Sequence, residues 1–178
     1  QVSVGDYMAF WRPMLASGQD VLHVTLSSGI SGTYNSACTA RDEIASEFPD
    51  RRGVVVDSLA ASSGYGLLMD KLSELRRAGM DLDGLAAWAE AHRREVQHWF
   101  FSSDLTFFIR GGRISKTAGF FGNMLKICPV MDVELDGSLA VREKVRTKRR
   151  AERRVLELMR ELAQGGDGYG GKVFISNS

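Results

Sequence analysis

The chain has 178 residues, of which 44% are hydrophobic and 25% charged, and its formal net charge at pH 7 is +1. This composition is typical of a globular protein and argues against disorder, and the balanced charge gives no general signal for nucleic-acid binding. No apolar run is long enough to span a membrane, and the two cysteines, Cys38 and Cys128, fit no metal-ligand spacing. We therefore expect a cytoplasmic protein of one large or two small domains, with reduced and buried thiols.

The first hundred residues alternate between short apolar strands and amphipathic helices. An amphipathic pattern that ends at Gly18 predicts a first helix, and the apolar run at 21–26 predicts a strand. A second strand is predicted at 54–56 and a third at 99–101, with one helix after the first strand and two helices after the second. This order predicts an α/β fold in which helices flank a parallel sheet and ligands bind at the carboxyl ends of its strands.

Four hydroxyls and two glycines are concentrated in residues 27–33, between the first strand and the next helix. A Gly/Ser turn that leads into a helix N-terminus presents backbone N–H groups and the positive end of the helix dipole to an anion. The turn contains no lysine and no G-x-G-x-x-G pattern, so its neutral donors suit one carboxylate better than a nucleotide phosphate. The alternative is that the serines only cap the helix.

Residues 105–131 are too apolar for a surface helix and contain four glycines. The pattern predicts two helices, the second starting near Ser115, followed by a strand that opens at Pro129. Excess hydrophobicity with embedded glycine is typical of the wall of a deep apolar pocket, although aromatic residues at helical spacing more commonly form a core. The candidate pocket residues are Phe108, Ile114, Phe120, Phe121, Leu125 and Ile127.

Positive charge is concentrated in residues 142–154, which hold eight of the 23 lysines and arginines. Alternation from Leu139 to Val145 predicts a strand, and the apolar spacing after it predicts a helix that ends at Gly165-Gly166. Residues 148–150 then place three cations at a helix N-terminus, where the helix dipole disfavours each by about 0.3–1 kcal/mol. This indicates an anionic partner or, alternatively, a solvated face that Glu157 and Glu161 compensate.

Four motifs occur in a fixed order along the chain: Ser27-Ser28-Gly29-Ile30-Ser31-Gly32-Thr33-Tyr34, Val56-Asp57-Ser58, Arg110-Gly111-Gly112-Arg113-Ile114 and Lys144-Val145-Arg146. Together they resemble the DegV family of bacterial fatty-acid-binding proteins, over nearly the whole chain. The resemblance implies two α/β domains with one fatty acid between them, no catalysis by the protein itself and no cofactor. It also implies a partner, a fatty-acid kinase that phosphorylates the bound carboxylate.

The resemblance assigns roles to particular residues. It implies that Arg113 and Arg146 take part in presenting the carboxylate to the kinase. Each buried methylene of an acyl chain contributes about 0.8 kcal/mol, whereas a buried carboxylate needs hydrogen-bond donors to offset the loss of water. The residues expected around the carboxylate are Ser27, Ser28, Gly29 and Ser31, and the acyl chain is expected against the candidate pocket residues.

The chain also departs from the family pattern at both ends. It lacks an N-terminal strand with a Thr-Ser pair ahead of Gln1, and it lacks a later segment with a functional histidine. It does not begin with methionine, and Phe174–Ser178 is interpreted as an unfinished strand. We therefore expect a truncated chain with an N-terminal α/β domain at 1–102, lacking its first strand, and an incomplete C-terminal α/β domain at 103–178.

Two other classes of function fit parts of the pattern. A nucleic-acid-binding regulator would use residues 142–154, but no helix-turn-helix or aromatic-interleaved basic pattern accompanies them. A serine hydrolase would use Ser28 or Ser31, but G-x-S-x-G is absent, and His23 and His92 are expected in structural roles. The three histidines are scattered, so no metal site is predicted. Transient contact with a membrane is an expectation for a protein that handles a lipid.

Overall fold

The computed structural model describes residues 2–114 and 127–177. These residues form two compact units. The first extends to Val96 and also includes the segment from Phe174 onward, and the second runs from Gln97 to Val173. The division between the two units falls between Val96 and Gln97. The boundary predicted from the sequence, at residue 102, lies a few residues later in the chain. Within the two described ranges, no helix is long and apolar enough to cross a membrane.

The first unit contains the helices and strands predicted for the first hundred residues. A capping box opens its first helix, because the Ser3 hydroxyl accepts the Asp6 N–H at 3.2 Å and the Asp6 carboxylate accepts the Ser3 N–H at 2.9 Å. Gly18 follows that helix with a φ of +84°, the left-handed conformation that favours glycine. The elements are α1 (Val4–Ala16), β1 (Val21–Thr25), α2 (Thr33–Ile44), β2 (Gly53–Asp57), α3 (Ser62–Arg77) and α4 (Leu82–His92).

The two strands of this unit pair in parallel, in register from Val21 opposite Gly53 to Thr25 opposite Asp57. Helices α1 and α2 pack on one face of the sheet around Trp11, and α3 and α4 pack on the opposite face. The predicted parallel sheet with flanking helices is therefore confirmed. Because the register aligns the carboxyl ends of both strands, the loops that follow them leave from the same edge of the sheet.

The third predicted strand exists, but the prediction that it extends the parallel sheet is wrong. Strand β3 (Phe100–Phe101) pairs antiparallel with β4 (Ile127–Val133) in the second unit. The side chain of Phe101 packs with Val130, and that of Phe100 packs with Met131. Alternation along the sequence predicts the type of element, whereas burial against the second core decides which strand this short segment joins.

The second unit is built on an antiparallel sheet. Strand β4 pairs with β5 (Leu139–Arg146), which confirms the strand predicted at 139–145. Helix α6 (Lys148–Leu162) packs on Cys128 and Val130 through Ala151 and Leu158. The predicted helix is therefore confirmed, but it ends at Leu162 with an extended Ala163 as its C-cap, ahead of the predicted glycine end at Gly165.

Two details of the second unit differ from the predictions. Pro129 is the third residue of β4 and not its first. Strand β3 pairs with β4 only at Val130 and Met131, so among the described strands Pro129 has a paired neighbour on one side alone, where a missing N–H is tolerated. Of the two helices predicted after residue 105, the first is the short α5 (Thr106–Arg110). The predicted helix near Ser115 lies outside the described residues.

The segment from Phe174 to Asn177 was predicted to be part of a strand, and no strand is present there. It lies against α3 through side chains. The Phe174 ring approaches Gly66, where an added Cβ would lie 3.4 Å from the ring, and the hydroxyls of Ser176 and Ser62 are 3.0 Å apart. A strand needs a neighbouring backbone with free N–H and C=O groups, and a helix surface does not provide one.

Candidate functional site

The serine loop, residues 26–32, connects β1 to α2 at the carboxyl edge of the parallel sheet. Ser27 is fully buried. Its hydroxyl accepts the Gly29 N–H at 3.1 Å, and its carbonyl accepts the N–H groups of Ile30 and Ser31 at 3.2 and 3.1 Å. The buried side chain and carbonyl of Ser27 therefore hold the turn of the loop.

Of the serines in this loop, only Ser31 has a hydroxyl that bonds an N–H group at the start of α2 within the described residues. The N-cap of α2 is Gly32, which has no side-chain cap, and the Ser31 hydroxyl accepts the Thr33 N–H at 3.3 Å. Ser28 is exposed, and no described residue is hydrogen-bonded to its hydroxyl. Ser28 thus presents a free O–H donor on the surface of the loop, in the position where the sequence predicts an anion site.

The loop that follows β2 is joined to the serine loop by hydrogen bonds. The Ser27 N–H donates to the Ala60 carbonyl at 2.9 Å. A single oxygen of the Asp57 carboxylate, Oδ1, accepts the Ser28 N–H at 3.1 Å and the Leu59 N–H at 3.0 Å. The parallel register therefore brings two loops together that are far apart in the sequence.

The part played by Asp57 was missed from the sequence, where the residue appears only within the motif Val56-Asp57-Ser58. Arg93, at the end of α4, donates from Nη1 to the Asp57 carbonyl at 2.6 Å. Leu59 and Ser62 have φ values of +49° and +48°, which residues other than glycine rarely adopt. Such conformations persist where surrounding contacts hold them. The useful signal was the position of Asp57 at the end of the second parallel strand.

Neutral polar side chains surround β1 in this unit. The Tyr65 hydroxyl donates to the Val24 carbonyl at 3.1 Å, and burial raises the pKa of Tyr65. Burial likewise raises the pKa of Tyr7. The Thr25 hydroxyl is buried and has no hydrogen-bond partner among the described residues. The side chains of Thr25 and Tyr65 thus bring uncharged hydroxyls to this part of the sheet, beside the Asp57 carboxylate and the Arg93 guanidinium that donates to the Asp57 carbonyl.

Two histidines of the first unit occupy packing positions, as the sequence predicts. The His23 ring lies 4.9 Å from the Tyr7 ring and 5.2 Å from the Trp11 ring, centroid to centroid, and burial lowers the pKa of His23. The His92 ring stacks on Trp88 at 4.5 Å. Within the described ranges, no group of His, Cys, Asp or Glu side chains could hold a metal ion.

In the second unit, the Gly-Gly-Arg-Ile motif forms the turn after α5. Gly112 has a φ of +73°, and the Phe108 carbonyl accepts the N–H groups of Arg113 and Ile114 at 2.9 and 3.3 Å. The Ile114 side chain is buried in the core. Arg113 is exposed, and its Nη1 donates to the Gly111 carbonyl at 2.6 Å. The turn therefore anchors Ile114 inside and leaves Arg113 at the surface.

Arg146, the second predicted arginine, is the last residue of β5 and lies opposite Ile127. It is exposed, and no described residue forms a hydrogen bond or ion pair with its side chain. The next residue, Thr147, has a φ of +75° and precedes the first residue of α6. Residues 148–150 are exposed in the first turn of α6, which confirms the predicted placement of three cations at a helix N-terminus.

Glu157 and Glu161, which would compensate these cations under the alternative interpretation of the sequence, form their ion pairs with another residue. Glu157 and Glu161 lie 3.4 and 2.9 Å from the Arg154 guanidinium, and Glu143 lies 2.9 Å from it. Hydrogen bonds to Glu161 and Glu143 raise the pKa of Arg154. Three carboxylates are thus concentrated on one arginine, and the first turn of α6 keeps its positive charge.

Three of the six predicted pocket residues belong to the described part of the chain, and the other three do not. Phe108 is half-buried, with its ring 6.2 Å from that of Phe100, and Ile114 packs in the same cluster. Ile127 is half-buried at the start of β4. Phe120, Phe121 and Leu125 lie outside the described residues. The assignment of these six residues to an acyl-chain pocket stays a prediction.

Comparisons with known proteins agree on one family. The model of uncharacterised DegV-family proteins matches residues 1–178. A DegV domain-containing protein of Lactococcus lactis is 36% identical over 157 residues, which cover 88% of this chain and 54% of the relative. The chain spans about half the length of the curated relatives it matches.

Two solved structures illustrate the similarity of fold. A DegV-family protein of Thermus thermophilus with fatty-acid binding has 33% sequence identity and a TM-score of 0.77, over 93% of this chain and 57% of the other. The Fatty Acid Kinase (Fak) B3 protein of Streptococcus pneumoniae, loaded with linoleic acid, has a TM-score of 0.81 at 24% identity, over 96% of this chain and 57% of the other. At that identity, the second likeness shows the fold alone.

Proposed function

The chain belongs to the DegV family, and we propose that it binds a long-chain fatty acid whose carboxylate is held at the serine loop. The observation that carries the proposal is the exposed Ser28 hydroxyl, which has no partner among the described residues and lies at the carboxyl edge of the sheet. Ligands of open α/β sheets bind at this edge. The fatty-acid binding of the related Thermus thermophilus protein supports the same function.

The four predicted carboxylate residues contribute in different ways. Ser28 and Ser31 each have an O–H proton to donate, because the described bond of the Ser31 hydroxyl is one that it accepts. The Gly29 N–H already donates to Ser27, so Gly29 serves by its lack of a side chain, which lets the ligand approach the backbone. Buried Ser27 supports the turn. Hydrogen bonds from neutral donors to a carboxylate are worth about 1.5–3 kcal/mol each.

The acyl chain supplies most of the affinity, at about 0.8 kcal/mol for each methylene removed from water. We propose that Phe108, Ile114 and Ile127 contribute to its apolar surroundings, together with Phe120, Phe121 and Leu125. Neutral donors can satisfy the charge of the ligand's carboxylate by hydrogen bonding. Because they form no tight ion pair, they leave a carboxylate oxygen able to accept a phosphoryl group in a later step.

We further propose that the protein presents the bound acid to a fatty-acid kinase, which performs the chemistry. Arg113 and Arg146 are both exposed, and a guanidinium can hold two oxygens of a transferred phosphoryl group. Residues 148–150 have no ion-pair partner in the described part of the chain, and their charge would steer the protein toward an acidic kinase surface, which raises the association rate more than the affinity.

Native mass spectrometry of the purified protein, followed by lipid extraction, tests the binding proposal. We expect a bound mass that extraction identifies as a fatty acid. A protein that carries no lipid and takes up no added fatty acid would contradict it.

An assay of acyl-phosphate formation with the cognate kinase tests the presentation proposal. Arg113→Ala and Arg146→Ala should keep the bound lipid and lose phosphorylation of it. Arg76→Ala, at an exposed position on α3, is the matched control and should behave as wild type. Full phosphorylation with both test variants would leave only structural roles for the two arginines.

A further inference from the structure

We infer that Asp57 is a positioning residue for the carboxylate site, which holds Ser28 in place without itself touching the ligand. The inference rests on the proposed function, because it assigns a role within the same site. It concerns a residue that the sequence places in the motif Val56-Asp57-Ser58 without assigning it a role.

The contacts of Asp57 are those of a fixed support. The residue is 7% exposed and lies at the last position of β2, opposite Thr25. Its Oδ1 accepts one N–H from each of two loops, that of Ser28 and that of Leu59. Its own carbonyl is held by Arg93 at 2.6 Å. A buried carboxylate is costly unless hydrogen-bonded, and here the bonds that satisfy it also connect the loops.

The hydrogen bond from the Ser28 N–H to Asp57 determines which donor of Ser28 is left for the ligand. Because the Ser28 N–H already donates to Asp57, it is not available to a bound carboxylate, and the Ser28 hydroxyl is the donor that remains. Without an acceptor at position 57, the Ser28 backbone loses its anchor. The Ser27 N–H would still be held by the Ala60 carbonyl, so the change would be local to Ser28 and the exposed part of the loop.

Asp57 acts through the position of its carboxylate oxygen Oδ1 and not through its negative charge. A negative charge beside an anion site does not attract the ligand. Both loop contacts use the same oxygen, Oδ1, so the amide oxygen of asparagine can accept both N–H groups. Glutamate keeps the charge but moves the oxygens by one methylene.

The experiment compares the dissociation constants of a fatty acid and of the fatty alcohol of equal chain length. The ratio between them isolates the contribution of the carboxylate, since the alcohol shares the acyl chain. We expect Asp57→Ala and Asp57→Glu to weaken acid binding by about tenfold or more relative to the alcohol, the effect of losing one charge-assisted hydrogen bond. Asp57→Asn should keep the wild-type ratio or bind the acid more tightly.

Asp20 provides the matched control. Its Oδ1 accepts the Arg52 N–H at 2.9 Å at the opposite edge of the same sheet, away from the serine loop. Asp20→Ala should lower stability without changing the ratio of acid to alcohol binding.

The outcomes separate this inference from the proposed function. If wild-type protein binds no fatty acid, the proposed function fails. If it binds but Asp57→Glu keeps the wild-type ratio, or Asp57→Asn loses it, the positioning role is overturned. The comparison of the Asn and Glu variants remains decisive if Asp57→Ala does not fold.

Discussion

Replacement of Ser28 by alanine tests the carboxylate site at its most exposed donor. The Ser28 hydroxyl has no partner among the described residues, so its removal should change the free energy of unfolding by no more than about 0.5 kcal/mol. Ser27→Ala is the contrasting change. It removes a fully buried hydroxyl that accepts the Gly29 N–H, and leaving that donor without its partner should cost about 1–3 kcal/mol of stability.

Ser28→Ala should change the affinity for fatty acid much more than it changes stability. One hydrogen bond to a charged carboxylate is worth about 1.5–3 kcal/mol, so Ser28→Ala should weaken fatty-acid binding by about 10- to 150-fold. Titration calorimetry on delipidated protein measures the affinity, and urea unfolding of the ligand-free protein measures the stability. A Ser28→Ala variant with normal stability and wild-type affinity would refute the assignment of this hydroxyl to the carboxylate.

Two further predictions concern the packing around β1. Trp11 is 1% exposed, so Trp11→Ala should cost about 3–5 kcal/mol in urea unfolding, whereas Phe10→Ala, 61% exposed on the same helix, should cost less than about 0.5 kcal/mol; equal losses would contradict the described core. Burial lowers the pKa of His23 in the folded state, so its contribution to stability is present above about pH 6.5 and is lost as the pH falls below that value. His23→Gln should therefore reduce the loss of stability between neutral and mildly acidic pH, and an unchanged pH dependence would show that the half-buried ring does not resist protonation.

The type and order of most elements could be predicted from the sequence. Helices α1 to α4 and strands β1 and β2 follow hydrophobic periodicity, and Gly18 follows α1 with the positive φ that glycine favours. The cationic first turn of α6 also follows from local pattern. The family could be recognised because its motifs are short, contiguous runs of residues.

The pairings between distant segments could not be predicted in the same way. Strand β3 joined the second sheet because two aromatic residues pack against Val130 and Met131, which no pattern near residue 100 reveals. The sequence left open whether Glu157 and Glu161 compensate residues 148–150, and the helical arrangement brings both to Arg154.

For the candidate site, the sequence by itself determined the serine loop, its neutral donors and its place after a strand, since these are properties of adjacent residues. Only the tertiary structure decided that Asp57 supports Ser28, a residue 29 positions away. The physical reason is the parallel register of β1 and β2, which places the ends of two separate strands side by side. The donors of the site are therefore encoded locally, whereas the support that fixes their positions depends on how the strands pair.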